Sequence, residues 1–371
     1  MRSATTGAAH RIRFVSIAGG LWGAEESLLT IARHLPAHVE AELWATSPAL
    51  RARWESEVGT PARRLQRGRS RLQRTMRAVP AVVTAPRGSA VVLWDVDLLL
   101  LAALLWPLMR IRHVRVYLDL HVTLSGRRGA LLLRLLARAL TGCMTISGFT
   151  ARQVDGATKT AVVQRPILGQ STVAPEAAST DATPGSAAVD GYVVGIIGRI
   201  DPEKGVHEAV RACADVPAVR RVIVRGAPFE GDATYLATVL EAGQAIQPTE
   251  FEYGGRTSAH EVMAGIDVLL HWNPKEPAGR VVQEAQLAGL VAVVPDDGGA
   301  REFVQDGVTG VVYRACDPGD LRRVLSRLED PRLRAAIGSS ASVMARERYD
   351  PRRQAARYAS IIAGGSRRDR S

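Results

Sequence analysis

The sequence of 371 residues predicts an α/β protein of two doubly wound, Rossmann-like domains facing a central cleft. Three observations lead there. The strand-like segments are continuously apolar rather than alternating, as strands covered on both faces of a parallel sheet are. Amphipathic segments of helical period separate them. The alternation halts once, at the Thr/Ala/Pro/Ser/Gly-rich stretch TVAPEAASTDATPGSAAVDG (172–191), and then restarts, which marks a linker between two domains. The expected organisation is an N-terminal domain over 1–171, a linker over 172–190 and a C-terminal domain over 191–345, with ligands at the carboxyl ends of the strands.

In order along the chain, RIRFVSIAGG (11–20) reads as a strand ending in a glycine turn, and GAEESLLTIARHL (23–35) as an amphipathic helix. VEAELWAT (39–46), AVVLWDV (90–96) and VRVYLDLHV (114–122) read as further strands. Between the last two, LLLLAALLWPLM (98–109) is too short to span a bilayer and reads as a buried core helix. After the linker come the strand YVVGIIGRI (192–200), the helix GVHEAVRACADV (205–216) and the strands RRVIVRG (220–226) and EFEYGG (250–255). The helix TSAHEVMAGID (257–267) and the strand VLLHW (268–272) follow. A helix opened by Pro277, the strand VAVVP (291–295), the loop DDGGAREFVQDGVTG, the strand VVYRA (311–315) and two closing helices complete the pattern.

Composition narrows the class. Apolar residues make up 46% and charged residues 23%, ordinary for a globular protein. The three cysteines, Cys143, Cys213 and Cys316, form no CxxC pair, which speaks for a reducing compartment and against structural zinc. No secretory signal or membrane-spanning run is apparent, so a cytoplasmic location is expected. Charge is uneven: residues 1–170 hold 24 Lys and Arg against 10 Asp and Glu, and the remainder 24 against 27. Nine arginines fall between Arg51 and Arg77. They could meet an anionic acceptor or an anionic membrane surface, or reflect a chain that uses 45 Arg and 3 Lys as its default cations. The aromatic interleaving that single-stranded nucleic acid requires is missing from this stretch, so nucleic acid is not an expected partner.

The chemistry-bearing residues gather at strand ends. In NPKEPAGRVVQEAQLAGL (273–290), Pro277 suits the first position of a helix and places Glu276 at the N-cap. The amides of Ala278, Gly279 and Arg280 would then be free for an anion, and Gly279 allows close approach. Glu284 follows two turns later. Acids flanking an anion-binding helix start suit a ligand with phosphate in its middle and hydroxyls at both ends. In GRIDPEKG (198–205), Arg199 and Lys204 bracket an Asp201-Pro202 turn, and a lysine is rare here. His121 ends LDLHVTL, and Gly19, Gly20 and Gly23 form the turn after the first strand. Each of these also has a structural reading: a solvated turn, a core histidine, an ordinary glycine turn.

Together, GRIDPEKG and EPAGRVVQEAQLAGLVAVVPDDGGAREFVQDGVTGVVY closely resemble the donor-binding domain of glycosyltransferase family 4, the retaining nucleotide-sugar enzymes of the GT-B fold. The resemblance is strong over 192–330, moderate over GGLWGAEESLLTIARHL and VYLDLHV, and absent over 40–90. It implies that Arg199 and Lys204 hold the donor diphosphate, that Glu284 accepts ribose hydroxyls, and that Glu276 holds the transferred sugar with support from the amides at Gly279 and Arg280. It implies that His121 reaches the transferred sugar and that Gly19, Gly20 and Gly23 admit the phosphates. Gly226, in RGAPFEG, stands for the family's glycine-rich turn. The segment before Glu276 reads HWNPKE where the family usually has a serine-containing pair. The final segment RERYDPRRQAARYASIIAG resembles the family's return helix to the first domain, giving a closing region over 346–371 with a disordered basic tail. No metal or other cofactor is implied, Asp95 and Asp97 in WDVD being the nearest imitation of a metal-bridging pair. The expected partners are a nucleotide-sugar donor and a hydroxyl acceptor, with peripheral contact to the inner face of an anionic membrane through Arg51–Arg77. A nucleotide-sugar epimerase or hydrolase, or a non-catalytic anionic-surface binder, remains the alternative.

Overall fold

A computed structural model describes residues 10–21, 23–124, 126–167, 191–228, 234–257 and 261–364. The linker 172–190 and the tail beyond Gly364 lie outside the described residues. The chain divides into two compact units, residues 1–168 with 349–371, and residues 169–348.

The first unit is a seven-stranded sheet in the order β3-β2-β1-β4-β5-β6-β7, every pair parallel. Its strands are β1 (His10–Ser16), β2 (Val39–Ala45), β3 (Ala62–Arg64), β4 (Ala90–Leu93), β5 (Arg115–Leu120), β6 (Gly142–Thr145) and β7 (Thr160–Val162). Its helices are α1 (Gly23–Arg33), α2 (Pro48–Glu57), α3 (Arg71–Arg77), α4 (Val79–Val83), α5 (Leu99–Ile111), α6 (Arg127–Ala137) and α7 (Gly148–Ala151). The second unit carries β8 (Tyr192–Ile197), β9 (Val219–Arg225), β10 (Glu250–Gly255), β11 (Val268–Leu270), β12 (Val291–Pro295) and β13 (Val311–Tyr313). These form a parallel sheet in the order β10-β9-β8-β11-β12-β13. Its helices are α8 (Val206–Ala212), α9 (Thr234–Gln244), α10 (Arg280–Leu287), α11 (Pro318–Arg327) and α12 (Pro331–Arg348).

Valine and isoleucine dominate the strands because branched side chains fill a pleated surface covered on both sides. All four residues of β4 and all five of β12 are buried. Strand β10 alternates Glu, Phe, Glu, Tyr, as befits a sheet edge with one wetted face. In the first unit, Val91, Leu93 and Leu118 pack with apolar residues of α4, α5 and α6 in one core, while Phe14, Leu43 and Trp54 pack with α1 and α2 in another. The two cores are the two faces of one doubly wound sheet.

Several expectations are corrected. Three helices close the chain, not two: Asp350 caps α13 (Pro351–Ala363) with Pro351 in its first turn, and this breaks the expected final helix at Tyr349. Helix α13 belongs to the first unit. Tyr358 and Ile362 are buried against α1, and the Ile362 carbonyl accepts bonds from Arg115 at 2.5 Å and the Tyr117 hydroxyl at 3.2 Å. The helix expected over 257–267 is turn at 261–265, with 258–260 outside the described residues. The helix over 98–109 is buried along one side only: Leu99, Leu101, Ala102 and Met109 face the core, whereas Leu100, Leu104, Trp106 and Leu108 are exposed. A helix in the outer layer of such a sheet buries the side that faces the sheet and its neighbouring helices and leaves the other to solvent. Among the described residues no helix is long and apolar enough to cross a membrane.

Candidate functional site

The Lys204 ammonium of the second unit touches the Glu276 carboxylate, joining residues 72 apart in sequence. Each is brought there by a strand end. Beyond β8, Asp201 accepts the Lys204 amide at 3.2 Å and Pro202 opens a single 3-10 turn over Pro202–Lys204. Gly205 then adopts a left-handed conformation, and a Cβ there would come within 2.5 Å of the Trp272 ring. Beyond β11, the Asn273 side chain accepts the Lys275 amide at 2.9 Å, folding the Asn-Pro-Lys segment back so that Glu276 meets Lys204.

Glu276 is therefore not an N-cap. Helix α10 starts three residues later than expected, at Arg280, and its N-cap is Gly279 at φ 71°. The reason lies in the facing loop. The Gly299 amide donates to the Glu276 carbonyl at 2.8 Å, and a Cβ on Gly299 would sit 1.8 Å from the Pro277 carbonyl oxygen. A Cβ on Gly298 would come within 2.5 Å of the Pro274 carbonyl oxygen, so Gly-Gly holds residues 274–277 in a turned path that is not helical. Gln286, buried, donates to the Phe303 and Thr309 carbonyls at 2.8 and 3.1 Å and fixes α10 to the DGVTG loop.

Burial pushes the Glu276 carboxyl up. The Lys204 ammonium, with His271 and Arg199, overcomes that and leaves it below the usual carboxylate value. His271, just past β11 and buried, is pushed below its ordinary value by desolvation, against the pull of Glu276. Its Nε2 is buried without a hydrogen-bond partner. The sequence reading had not singled it out, because within VLLHW it reads as one more strand residue.

The other expected residues divide. Arg199 lies 3.5 Å from Asp201 and contributes to the charge around Glu276. Glu284 pairs with Arg280 one turn before it at 2.7 Å, a half-buried bond within α10 and separate from the Lys204 pair. Gly226 has a structural reason to be glycine: a Cβ would collide with the Gly198 carbonyl at 1.7 Å, where the ends of β8 and β9 meet. In the first unit, a Cβ on Gly19 would meet nothing within 4 Å, so its own fold does not demand glycine there. Gly20 lies in the same bend, and Gly23 is the first residue of α1.

His121 directly follows β5, with its ring 5.4 Å from that of Trp94 and its Nδ1 3.6 Å from Asp119, beyond hydrogen-bond reach. Beneath it is a group that sequence reasoning missed: Asp119, fully buried, is gripped by both terminal nitrogens of Arg165 and by the Tyr358 hydroxyl at 3.0 Å. Burial pushes the Asp119 carboxyl up, and Arg165 overcomes it, holding it at about 2. Asp95 accepts the Ile17 amide at 2.8 Å, and burial pushes it above its usual value; WDVD thus ties β1 to β4 rather than presenting two free carboxylates. Among the described residues no group of three His, Cys, Asp or Glu side chains is placed to hold a metal ion. Of the arginine cluster, Arg53 is paired with Glu26 and Glu57, while Arg64, Arg67 and Arg77, with Gln66, line an open cavity of about 460 Å³.

The chain superimposes on Anabaena Alr3699/HepE, solved in complex with UDP and glucose, with a TM-score of 0.77 over 96% of this chain and 100% of that one, at 21% identity. A sucrose-phosphate synthase from Thermosynechococcus elongatus gives 0.73 over 96% and 98%, at 17% identity. The fold is GT-B. Residues 182–344 match the family model of glycosyl transferases group 1. A GDP-mannose-dependent alpha-mannosyltransferase of Mycobacterium tuberculosis is 32% identical over 155 residues, 42% of this chain and 39% of that protein. A D-inositol 3-phosphate glycosyltransferase of Mycobacterium leprae is 31% identical over 161 residues, 43% and 37%. The chain thus spans about two fifths of the length of the curated relatives it matches.

Proposed function

We propose that the chain is a retaining glycosyltransferase of glycosyltransferase family 4. It would move a sugar from a nucleoside-diphosphate sugar to an acceptor hydroxyl, with the leaving phosphate assisting deprotonation and no metal required. The observation that carries this reading is the Lys204–Glu276 pair at adjacent strand ends of the second unit, beside Arg199 and the start of α10. A carboxylate held ionised by an ammonium is already matched to a ligand that offers hydroxyls and a diphosphate together: phosphate takes over Lys204 and Arg199, and Glu276 turns to the sugar hydroxyls. As the glycosidic bond breaks, charge grows on the departing diphosphate, and fixed cations there lower the barrier. Glu284, freed from Arg280, would accept the ribose hydroxyls, and the amides around Gly279 and Arg280 would support sugar and phosphate. The name of the Mycobacterium tuberculosis relative, dependent on GDP-mannose, and the UDP complex of the solved neighbour support a nucleotide donor. His121 is assigned to the transferred sugar, and peripheral contact of the Arg51–Arg77 stretch with anionic lipid belongs to the same reading.

Thermal-shift titration with UDP and GDP tests it. At a hundredfold excess over Kd the matching nucleotide stabilises by about 2.7 kcal/mol. Lys204→Ala should abolish that shift and reduce sugar transfer by about 10²–10³-fold. Full transfer by Lys204→Ala or Glu276→Ala would refute the assignment, and donor turnover without any acceptor would make the protein a hydrolase or epimerase instead.

A further inference from the structure

One side of the first unit is apolar where it should be wetted. On α5, Leu100, Leu104, Leu108 and Ile111 recur at spacings of three and four, a helical stripe, and all are exposed, Leu104 at 65% and Ile111 at 69%. Helix α6 packs beside α5 and exposes Leu131, Leu132 and Leu135. Helix α3, which contacts the turn leading into α5, adds Leu72 and Met76 one turn apart. Trp106 is 41% exposed, with the Arg110 guanidinium 5.4 Å from its ring centre. Single exposed leucines are ordinary, whereas two adjacent helices exposing stripes are a contact surface.

The charge around the stripes decides the occupant. Between Val58 and Val154 the sequence holds sixteen arginines and three acids, Asp95, Asp97 and Asp119. Asp119 is buried against Arg165, and Asp95 takes the Ile17 amide. Helices α3, α5 and α6 carry no acid at all. A second copy of the chain would set guanidinium against guanidinium. The segments 1–9, 168–190 and 365–371 have too few bulky apolar residues to cover the face, and the last is itself basic. An apolar face in a cationic surround, with a Trp–Arg pair on it, matches the boundary between acyl chains and anionic headgroups.

We infer that the α3, α5 and α6 side of the first unit is a docking surface for an anionic phospholipid bilayer. Leu104, Trp106, Ile111, Leu131 and Leu135 enter the acyl boundary, and the arginines of α3, with Arg128 of α6, meet lipid phosphates. This deepens, and rests on, the anionic-lipid contact proposed above for Arg51–Arg77, the stretch that ends in α3, but flotation without nucleotide tests it apart from sugar transfer, since the surface needs no donor to act.

The test is flotation of the full chain with vesicles of phosphatidylcholine alone and of equal parts phosphatidylcholine and phosphatidylglycerol, without nucleotide. The protein should float with the anionic vesicles, more weakly as salt rises, and stay behind with the neutral ones. Leu104→Asp and Leu131→Asp should each cut the partition at least about tenfold while melting at the wild-type temperature, because neither side chain is in the core. Bilayer contact should also quench Trp106 with brominated lipid, a signal absent from Trp106→Phe. Wild-type partition in both aspartate variants, or no partition into anionic vesicles, overturns the inference. So does a concentration-dependent dimer that Leu131→Asp dissolves, which would assign the face to a second copy.

Discussion

Asp119 carries a charge where water does not reach, and its two nearest partners come from far along the chain: Arg165, 46 residues on, and Tyr358, 239 residues on. Because its folded carboxyl is held at about 2, below the ordinary ~3.9, its stabilisation is fully present above about pH 4 and is lost as the pH falls toward 2. Arg165→Met should therefore cost about 3–5 kcal/mol at neutral pH by leaving an unpaired buried charge. The cost should shrink in acid, where Asp119 can take up a proton. Urea unfolding of the variant at both pH values checks this, and an equal loss at both would show that Arg165 acts by packing alone. At this scale the sequence was legible only where a residue is locally odd. Lys204, one of three lysines, and Glu276, set before a proline, stood out; that they hold each other did not, since nothing local encodes a contact across 72 residues. Asp119 and His271 were hidden inside apolar strands, where a polar letter reads as noise until its partner is known.

Strands and helices were more visible. β1, β2, β5, β8, β9 and β12 fall within a residue or a few of their expected places, because apolar residues recur along each of them at strand spacing. β3, β6 and β7 read ARR, GCMT and TAV and lack the run of Val and Leu that makes the equally short β4 and β11 visible. The displaced start of α10 is the instructive failure. Pro277 alone argues for a helix beginning there, yet the Gly298-Gly299 backbone occupies the space and postpones it to Arg280. The loop thereby shapes the site. Gly299→Ala should cost about 1–3 kcal/mol through overpacking against the Pro277 carbonyl and weaken nucleotide binding along with stability, whereas Gly19→Ala should stay within about 0.5 kcal/mol. Chemical denaturation of the two variants compares them, and an unchanged midpoint for Gly299→Ala would show that the clamp yields.

For the molecule as a whole, both doubly wound sheets could be read from the sequence, as could the basic bias of the first half. The exposed stripes on α5 and α6 could not, because an apolar run of that length is spelled the same whether one side or both are covered. Each unit has its own core, and α13 supplies Tyr358 and Ile362 to the first. A chain ended at Arg348 should accordingly lose the calorimetric transition of the first unit and keep that of the second; loss of both would mean the units melt as one. The first unit is thus written in two pieces, with the whole second unit spelled between them. During synthesis its sheet emerges first yet cannot bury Phe14 against Tyr358 until some two hundred further residues have left the ribosome. The part made earliest is the last to be finished, and in that interval its unfilled hydrophobic face is what a chaperone would find.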